Sequence, residues 1–534
     1  MNTAQIGVNS ELGILKRILI HSPDGGIGKI TPGKFHDWLY DDTVHLKKMQ
    51  QEYDDYVKTL LYFLDPDKIP LIKEAEKKAA KKKSKERLAE LNPGRPEYFN
   101  SDKVLDAQWI LSKILENPTI RQHIITAICA IENCNSNVQA HLENEVKDAH
   151  LLAKILITGV IPPQSKTGVF PPSTEDPHEE IYVFPPVPNF VFTRDIGIMI
   201  NDHFLLSKPA KLARRREAIL TKFLAIHYLL KDSPEKVIEI TEDSEFFLLD
   251  EKEQEEQVIT IEGGDVMMIA PNHLVIGCSE RTSPNAVNEI VHTLFAKSET
   301  KIEWISVVKI PKKRAQMHID TIFTQVRRDV WVLYGEFSDE VKADKDEKKK
   351  SYLKGLMHRK DRSQQEDAEA VEIIQFYKKH AEAYNPSKDY WLTKEEDYRR
   401  ISDVRVAKPT SIDGLLRQIS VSFYNVHPND VRIIYSGGNH YPYDSREQWT
   451  DSCNVLALKE GVVIGYDRNE KTIEEFEKAG FRAILAKDLI KEFEEQKITP
   501  AQVENTLILL ESGELSRARG GSHCMSMPLL RENL

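Results

Sequence analysis

Short apolar runs of four to six residues recur along most of the chain, and turn residues bound each run. Runs of this length that are rich in β-branched residues predict strands. The clearest example has two runs, 266–270 and 274–278, on either side of a Pro-Asn-His turn. A helical pattern of polar and apolar residues follows over 285–296, and the run 304–308 comes next. The pattern predicts a unit of two strands, a helix and a third strand.

The same order of elements recurs along the chain. One copy comprises 455–458, 462–466, 473–479 and 482–485; another comprises 190–192, 204–206, 213–230 and 237–240; an interrupted copy comprises 321–324, 330–334, 412–419 and 431–435. A lone N-terminal run at 15–20 and a lone C-terminal run at 506–510 are expected to complete a fifth unit. Because one such unit cannot bury its apolar face alone, the repetition favours a radial or stacked architecture.

Two kinds of segment depart from the repeat. Residues 102–156 carry apolar residues at helical spacing, which predicts an inserted helical subdomain. The runs 73–90 and 342–360 are dominated by Lys and Glu, a composition typical of solvated helices or loops. A docking or regulatory surface is the alternative interpretation of these two charged runs.

Composition narrows the class of protein. The 534 residues carry a net charge of −11, which argues against a nucleic-acid or anionic-membrane partner for the molecule as a whole. No apolar stretch approaches the length of a membrane span, and no signal-peptide pattern is evident at the N-terminus. The five cysteines are scattered, so they predict neither a disulfide framework nor a metal-ligand array. A soluble, cytoplasmic protein is expected.

The candidate chemistry centres on Cys524. This cysteine follows Gly520, Gly521 and His523, and two arginines precede the glycines. Nearby arginines favour the thiolate, which is the reactive form of cysteine. The alternative is a flexible basic tail that contains an incidental thiol.

Upstream of Cys524, acidic residues and a histidine occur in similar glycine-rich runs or at expected strand ends. Asp195 is expected to end a strand, and Glu262 lies in an Ile-Glu-Gly-Gly-Asp run. His318 and Asp320 are expected on one face of a strand, since strand side chains repeat every two residues. A cysteine, a histidine and an aspartate can act as nucleophile, base and orienting group, and carboxylates bind a planar guanidinium well. Taken alone, an aspartate at a strand end is more often a turn or capping residue, and the Glu-Gly-Gly-Asp run alone is compatible with a hairpin turn.

Taken in order, these runs resemble the arginine deiminase family, whose members share the pentein fold. The resemblance extends nearly end to end, apart from the two charged runs. The matching segments are 10–23, 39–42, 189–195, 213–217, 261–265, 279–282, 317–323, 446–451, 466–469 and 515–526. Two departures are Ile196, where the family usually has proline, and Ser452, where it usually has glycine.

The resemblance implies an α/β fold, a five-bladed ββαβ propeller with an inserted helical subdomain. Residues 1–70 would begin the propeller, 71–100 would be a charged insertion and 101–160 the helical subdomain. Residues 180–534 would complete the propeller, with a Lys/Glu-rich insertion at about 338–400.

The resemblance also implies a mechanism and its catalytic residues. Cys524 would attack the guanidinium carbon of free L-arginine and form a covalent intermediate on the way to citrulline. His318 would protonate the leaving ammonia and then activate water. Asp195 and Asp320 would hold the guanidinium nitrogens, and Glu262 would hold His318 and part of the substrate. Neither a metal nor an organic cofactor is expected.

The remaining implied residues bind the substrate. Arg214 and Arg281 match positions that bind the substrate carboxylate, Asn189 and Phe192 match positions that line its amino-acid end, and Arg519 matches a mobile arginine near the nucleophile. The alternatives are a related amidinotransferase, a hydrolase of modified arginine, or a non-catalytic scaffold of the same fold. The sequence leaves a homo-oligomer open.

Overall fold

A computed structural model of the protein describes residues 6–35, 38–81, 101–160, 185–240, 258–296, 299–339, 371–378, 409 and 411–534. This part of the chain is a mixed α/β structure. None of its helices is both long and apolar enough to cross a bilayer. The charged run 342–360, the second half of the run 73–90 and most of the insertion expected at 338–400 lie outside the described residues.

The strands and helices follow the apolar runs closely. The strands are β1 (Leu15–Ile20), β2 (Val104–Asp106), β3 (Gly197–Ile200), β4 (His203–Leu206), β5 (Val237–Ile238), β6 (Val266–Ala270), β7 (His273–Cys278), β8 (Trp304–Lys309), β9 (Phe323–Arg327), β10 (Val330–Leu333), β11 (Glu372–Tyr377), β12 (Arg432–Tyr435), β13 (Leu456–Lys459), β14 (Val462–Tyr466), β15 (Arg482–Leu485), β16 (Thr506–Leu510) and β17 (Met527–Arg531). The α-helices are α1 (Leu46–Leu64), α2 (Ile69–Ala80), α3 (Ala107–Ile114), α4 (Pro118–Ile131), α5 (Ser136–Asn144), α6 (Ala149–Thr158), α7 (Arg215–Leu224), α8 (Pro284–Ala296), α9 (Ile412–Tyr424), α10 (Tyr443–Trp449), α11 (Glu470–Lys478) and α12 (Ala486–Glu494).

Within the described residues, these strands form five small sheets of one common design. The strand orders are β17-β1-β2, β3-β4-β5, β11-β8-β7-β6, β12-β10-β9 and β13-β14-β16-β15. Each sheet contains an antiparallel pair: β17/β1, β3/β4, β6/β7, β9/β10 or β13/β14. The strand named second in each pair has a parallel neighbour on its other side. A parallel neighbour requires a crossover connection, which explains the helical pattern between the second and third runs of each unit.

The C-terminal strand expected for the fifth unit, run 506–510, is wrong. The run 506–510 is β16, which lies between β14 and β15 and pairs in parallel with both. Its five residues are all buried, as expected of a central strand covered on both faces. The partner of β1 is β17 instead. This strand contains Pro528, and proline is tolerated because β17 lies at the edge of its sheet.

Two further expectations about strands are wrong. The segment Pro188–Val191 forms a short 3-10 helix, so the hairpin begins at β3 and Asp195 precedes a strand rather than ending one. His318 caps a second 3-10 turn, Ile319–Thr321, and β9 begins only after it. The hydroxyl of Thr321 donates to the His318 carbonyl over 2.7 Å, which closes this turn locally and prevents an extended conformation.

Helices α3 to α6 fill the segment for which a helical subdomain was predicted. Each begins after an Asp or Asn whose side chain accepts from the first backbone amides of the helix, the expected N-cap chemistry; these residues are Asp106, Asn117, Asn135 and Asp148. Their apolar faces share one buried cluster with α7, through residues such as Leu111, Leu156 and Leu220. The helical segment therefore packs beside the helix that follows Arg214.

The loop that leads to Cys524 is tied to a neighbouring sheet by Ser522. Its hydroxyl donates to the Ile464 carbonyl over 2.6 Å and accepts from the Leu456 amide over 3.1 Å. Ser522 is completely buried, so water cannot replace these two bonds. The hydroxyl thereby fixes the loop against β13 and β14.

We predict that Ser522→Ala lowers the free energy of unfolding by about 1–3 kcal/mol, because it leaves a buried amide and a buried carbonyl without partners. Chemical denaturation monitored by circular dichroism measures this change. Ser422→Ala, on the exposed side of α9, is the control and should change stability by less than about 0.5 kcal/mol. An equally small effect at position 522 would contradict the assigned role.

Candidate active site

Residues with acidic, amide, imidazole or thiol groups lie just before the first strand of the antiparallel pair in each of the five sheets. Asp195 precedes β3, Glu262 precedes β6, and Asp320, with His318 close by, precedes β9. Asn454 precedes β13, and Cys524 precedes β17. All of them are buried. The common design of the sheets therefore delivers one set of side chains to one buried cluster.

His318 and Glu262 form the first part of this cluster. The Nε2 atom of His318 lies 3.0 Å from Glu262 Oε2, and its Nδ1 atom lies 3.8 Å from Asp195 Oδ1. Gly264 makes this packing possible, because a Cβ at that position would lie 2.7 Å from His318 Nδ1. The glycine of the Ile-Glu-Gly-Gly-Asp run thus admits the imidazole ring.

The ionisation of these two groups follows from their surroundings. Burial alone would lower the pKa of His318, but Asp195, Glu262 and Asp265 outweigh it and raise that pKa to about 10. Burial alone would raise the pKa of Glu262, but the hydrogen bond with His318 and the charges of Arg214 and Arg281 lower it to about 2. At neutral pH the pair is therefore an imidazolium and a carboxylate.

Arg214 forms ion pairs with the acidic groups of the cluster. Its Nη1 donates to Asp195 Oδ2 over 2.7 Å and to Glu262 Oε2 over 3.4 Å, and its Nε donates to Glu217 Oε2 over 2.8 Å. The side chain is buried. Its guanidinium therefore compensates the negative charge of Asp195 and Glu262 in this structure.

Asn454 and Asp320 hold Cys524 on two sides. The Asn454 side chain accepts from the Cys524 amide over 2.9 Å and donates to Sγ over 3.2 Å. The thiol of Cys524 in turn points at Asp320 Oδ2, 3.5 Å away. The nucleophile candidate is thus fixed in position and faces a carboxylate.

Asp320 is itself held by a chain of buried polar groups that sequence reasoning missed. Arg194 donates to His523 Nε2 over 2.7 Å, so Nδ1 carries the hydrogen that His523 donates to Asp320 Oδ2 over 2.9 Å. Arg194 also donates to both carboxylate oxygens of Glu11, at 3.3 and 3.1 Å. Arg194 and His523 adjoin Asp195 and Cys524 in sequence, and this adjacency was the available signal.

The expectation of a thiolate at Cys524 is wrong for this structure. Burial and the negative charges of Asp320 and Asp195 raise the pKa of the Cys524 thiol well above its ordinary value. The arginines of the C-terminal run are engaged elsewhere. Arg517 pairs with Asp42 over 3.0 Å, and Arg519 stacks on the Trp449 ring at 3.6 Å and donates to the Trp449 carbonyl. Cys524 is therefore a neutral thiol at neutral pH.

Three polar atoms of the cluster lack a hydrogen-bond partner among the described residues. They are Asp195 Oδ1, Asp320 Oδ1 and His318 Nδ1, and all three are buried. Most buried polar groups in proteins are paired, and an unpaired one is unfavourable. The two acceptors are therefore suited to a ligand that donates hydrogen bonds.

Three further predicted residues contact other groups around this cluster. Asn189 donates to the Trp38 carbonyl over 2.8 Å. Phe192 packs against Gly520, where an added Cβ would lie 2.3 Å from the ring. Arg281 lies 3.8 Å from Glu262 and lines an open cavity of about 570 Å³. The cavity is also lined by Trp38, Leu39, Tyr40, Lys211, Leu212, Ala213, Glu280 and Arg314. Several cations and an aromatic wall thus flank one side of the cluster.

One group of side chains in the described part of the chain has the geometry to hold a metal ion. Asp195, Glu262 and His318 offer ligand atoms that all lie within 4.8 Å of one another. However, the guanidinium of Arg214 donates to both carboxylates, and the imidazole is protonated at neutral pH. Arg214 and the proton on His318 supply positive charge where a metal would bind.

Comparison with known proteins identifies similar sequences over almost the whole chain. The family model described as arginine deiminase matches residues 104–531. An arginine deiminase from Borrelia garinii subsp. bavariensis is 26% identical over 531 residues, with 99% of this chain and 98% of that protein covered. One from Listeria welshimeri is 26% identical over 529 residues, with 99% of each chain covered.

Solved structures show a weaker likeness. An amidinotransferase of the saxitoxin biosynthetic pathway from Microseira wollei has a TM-score of 0.42 and 13% identity, and the match covers 99% of this chain and 98% of that one.

We predict that the Cys524 thiol of the ligand-free protein reacts slowly with iodoacetamide at neutral pH. The rate should rise with a midpoint above the ordinary thiol value of about 8.5. Asp320→Asn removes a negative charge beside the sulfur and should move this midpoint to lower pH, whereas Asp329→Asn, in a peripheral ion pair with Arg327, should not move it. Alkylation rates across a pH series, followed by peptide mass spectrometry, provide the measurement. A wild-type midpoint below neutral pH would contradict the assigned thiol.

Proposed function

The chain belongs to the arginine deiminase family, and from this premise we propose that the buried cluster hydrolyses free L-arginine to L-citrulline and ammonia. The observation that carries the proposal is the pair of unpartnered acceptors, Asp195 Oδ1 and Asp320 Oδ1, in one cluster with a thiol and an imidazolium. A guanidinium is planar and carries several N–H donors, which is the complement these oxygens need. The substrate cation would therefore lie between the two aspartates, with its carbon facing Cys524.

The first chemical step forms a bond between sulfur and carbon. The incoming guanidinium lowers the pKa of the buried thiol, since it places a positive charge near the sulfur, and the thiol proton passes to solvent. The thiolate attacks the guanidinium carbon, and the bond from that carbon to one terminal nitrogen breaks. His318 supplies the proton with which this nitrogen leaves as ammonia. The amidino carbon remains attached to Cys524.

The second step releases the product. The now neutral His318 takes a proton from water, and the resulting hydroxide attacks the amidino carbon. The carbon–sulfur bond breaks, which yields citrulline and returns the sulfur. Glu262 keeps His318 oriented through both steps by their 3.0 Å hydrogen bond. Asn454 holds the sulfur in place through two contacts with Cys524.

Arg214 would be displaced from Asp195 when the substrate binds. In the ligand-free structure it donates to Asp195 and Glu262, the carboxylates near which the substrate cation binds. Two guanidinium groups at one site would repel each other. Arg214 would therefore leave Asp195 as arginine enters, and its freed guanidinium would meet the substrate carboxylate together with Arg281. Asn189 and Phe192 would line the amino-acid end, and Arg519 would move from Trp449 toward the site.

The arrangement of the five sheets is part of the same proposal. Each sheet supplies its side chains from the same position, just before the first strand of its antiparallel pair. A ring of five blades around a central site would bring five equivalent positions together, and this supports the five-bladed propeller. Residues 101–160 would be a helical subdomain inserted in this ring. A cytoplasmic location and homo-oligomeric assembly stay predictions.

Citrulline formation tests the proposed activity. Purified protein should produce citrulline and ammonia from free L-arginine. Cys524→Ala should abolish turnover, since the thiol forms the bond to carbon, while the circular dichroism spectrum stays unchanged. Cys453→Ala, which removes another buried thiol, should retain activity. Undiminished ammonia release by Cys524→Ala would contradict the covalent mechanism.

The clamp on the substrate carboxylate predicts a selective effect at Arg281. Arg281→Gln should raise the KM for L-arginine about 10- to 100-fold, because a hydrogen bond to a charged group contributes about 1.5–3 kcal/mol. It should leave the inhibition constant of agmatine, which lacks the carboxylate, nearly unchanged. Steady-state kinetics of the wild type and the variant measure both constants. Equal weakening of both ligands would assign Arg281 to the guanidinium end instead.

A further inference from the structure

Two cysteines outside the active site, Cys129 and Cys134, lie at the C-terminal end of helix α4. None of the five cysteines, all within the described residues, forms a disulfide. The thiols of Cys129 and Cys134 lie close enough to shift each other's pKa. No other two cysteines of the chain lie so close in sequence.

The end of the helix fixes this contact through its backbone. Asn133 has a φ of 51°, the left-handed conformation that ends many helices. The amide of Cys134 donates to the Cys129 carbonyl over 2.9 Å, and the amide of Glu132 donates to the Ile128 carbonyl over 2.9 Å. In this Schellman arrangement the two cysteines occupy the positions whose side chains commonly touch.

The backbone geometry is compatible with a covalent bond between the two sulfurs. With standard bond lengths, the 2.9 Å hydrogen bond keeps the two Cα atoms within about 7 Å of one another. A disulfide requires Cα atoms no farther apart than about 7 Å. The mutual effect of the two thiols on their pKa values is consistent with side chains that face each other.

The two thiols differ in access and acidity. Cys134 is partly exposed, whereas the other four cysteines are buried. The interaction with Cys129 lowers the pKa of the Cys134 thiol and outweighs burial and the charge of Glu132, which both act to raise it; the charge of Arg216 acts in the lowering direction. Thiolate character and access together decide which cysteine an oxidant meets first. Cys134 has both thiolate character and access, and the buried Cys129 lies next to it.

We propose that Cys129 and Cys134 form a reversible oxidation site, in which a hydroperoxide converts the thiol pair into an intramolecular disulfide. With hydrogen peroxide, the Cys134 thiolate attacks one peroxide oxygen, the O–O bond breaks, and a sulfenic acid and hydroxide result. The hydroxide takes up a proton from solvent and becomes the first water. The Cys129 thiol then attacks the sulfenic sulfur, the S–S bond forms, the S–O bond breaks, and a second water leaves with the thiol proton. The two sulfurs lose two electrons, and the peroxide gains them.

The site is independent of the proposed deiminase activity, and its chemistry should spare the nucleophile. Cys524 is buried and carries a neutral thiol in the ligand-free protein, so it should react with peroxide more slowly than Cys134 does. The pair also lies close to α7. Glu132, between the two cysteines, pairs with Arg216 of that helix over 3.1 Å.

Peptide mass spectrometry of the full-length protein tests the proposal. The protein is treated with hydrogen peroxide, denatured in urea, alkylated with iodoacetamide and digested with trypsin, which releases both cysteines in one peptide, 122–147. We expect this peptide to lose the mass of two hydrogen atoms and to escape alkylation, and dithiothreitol should reverse both changes. The Cys524 peptide should remain fully alkylatable at the same peroxide exposure.

Single substitutions separate the two roles. Cys129→Ser should stop the reaction at a sulfenic acid on Cys134, which dimedone traps, whereas Cys134→Ser should leave Cys129 reduced. Cys278→Ser, which removes a buried thiol without a cysteine neighbour, should leave disulfide formation unchanged. The proposal is overturned if peptide 122–147 stays fully alkylatable after peroxide treatment, or if Cys524 is oxidised before it.

Discussion

The burial of negative charge is the constraint on which the site depends. Asp195, Glu262 and Asp320 are all buried in one cluster, and a buried charge is tolerated only when it is paired and hydrogen-bonded. Arg214 and the protonated His318 compensate the first two, and His523 holds the third. The compensation is incomplete at individual atoms, since Asp195 and Asp320 each keep one unpartnered oxygen. The cluster is thus arranged for one more cation.

The same charge distribution explains how a neutral thiol can serve as the nucleophile. Burial and the nearby carboxylates raise the pKa of Cys524, which keeps the sulfur in its less reactive, protonated form. A guanidinium that binds to these carboxylates cancels the field that kept the thiol protonated. In the proposed mechanism, substrate binding and activation of the nucleophile are one electrostatic event, which would require Arg214 to leave Asp195. The raised pKa of His318 supports this sequence of events, because it keeps His318 protonated until ammonia leaves.

Much of this arrangement could be predicted from the sequence, because strands and glycine-marked turns leave a local signal. The runs that became β6, β7 and β8 were found with nearly correct bounds. Strand β17 was missed since Pro528 masks it, and its partner lies at the other end of the chain. The ionisation of Cys524 could not be predicted, because it depends on distances to Asp320 and Asp195 that no spacing encodes. Asn454 was missed although it precedes β13 in the position that the other sheets use for their site residues.

The proposed displacement of the Arg214 guanidinium by the guanidinium of the substrate is tested most directly by a crystal structure. The Cys524→Ala variant should bind L-arginine without consuming it. We expect the substrate guanidinium between Asp195 and Asp320, hydrogen-bonded to their two free oxygens, and the Arg214 side chain displaced from Asp195 toward the substrate carboxylate. Bound arginine that leaves Arg214 on Asp195 and Glu262, with its own guanidinium outside the cluster, would contradict the account.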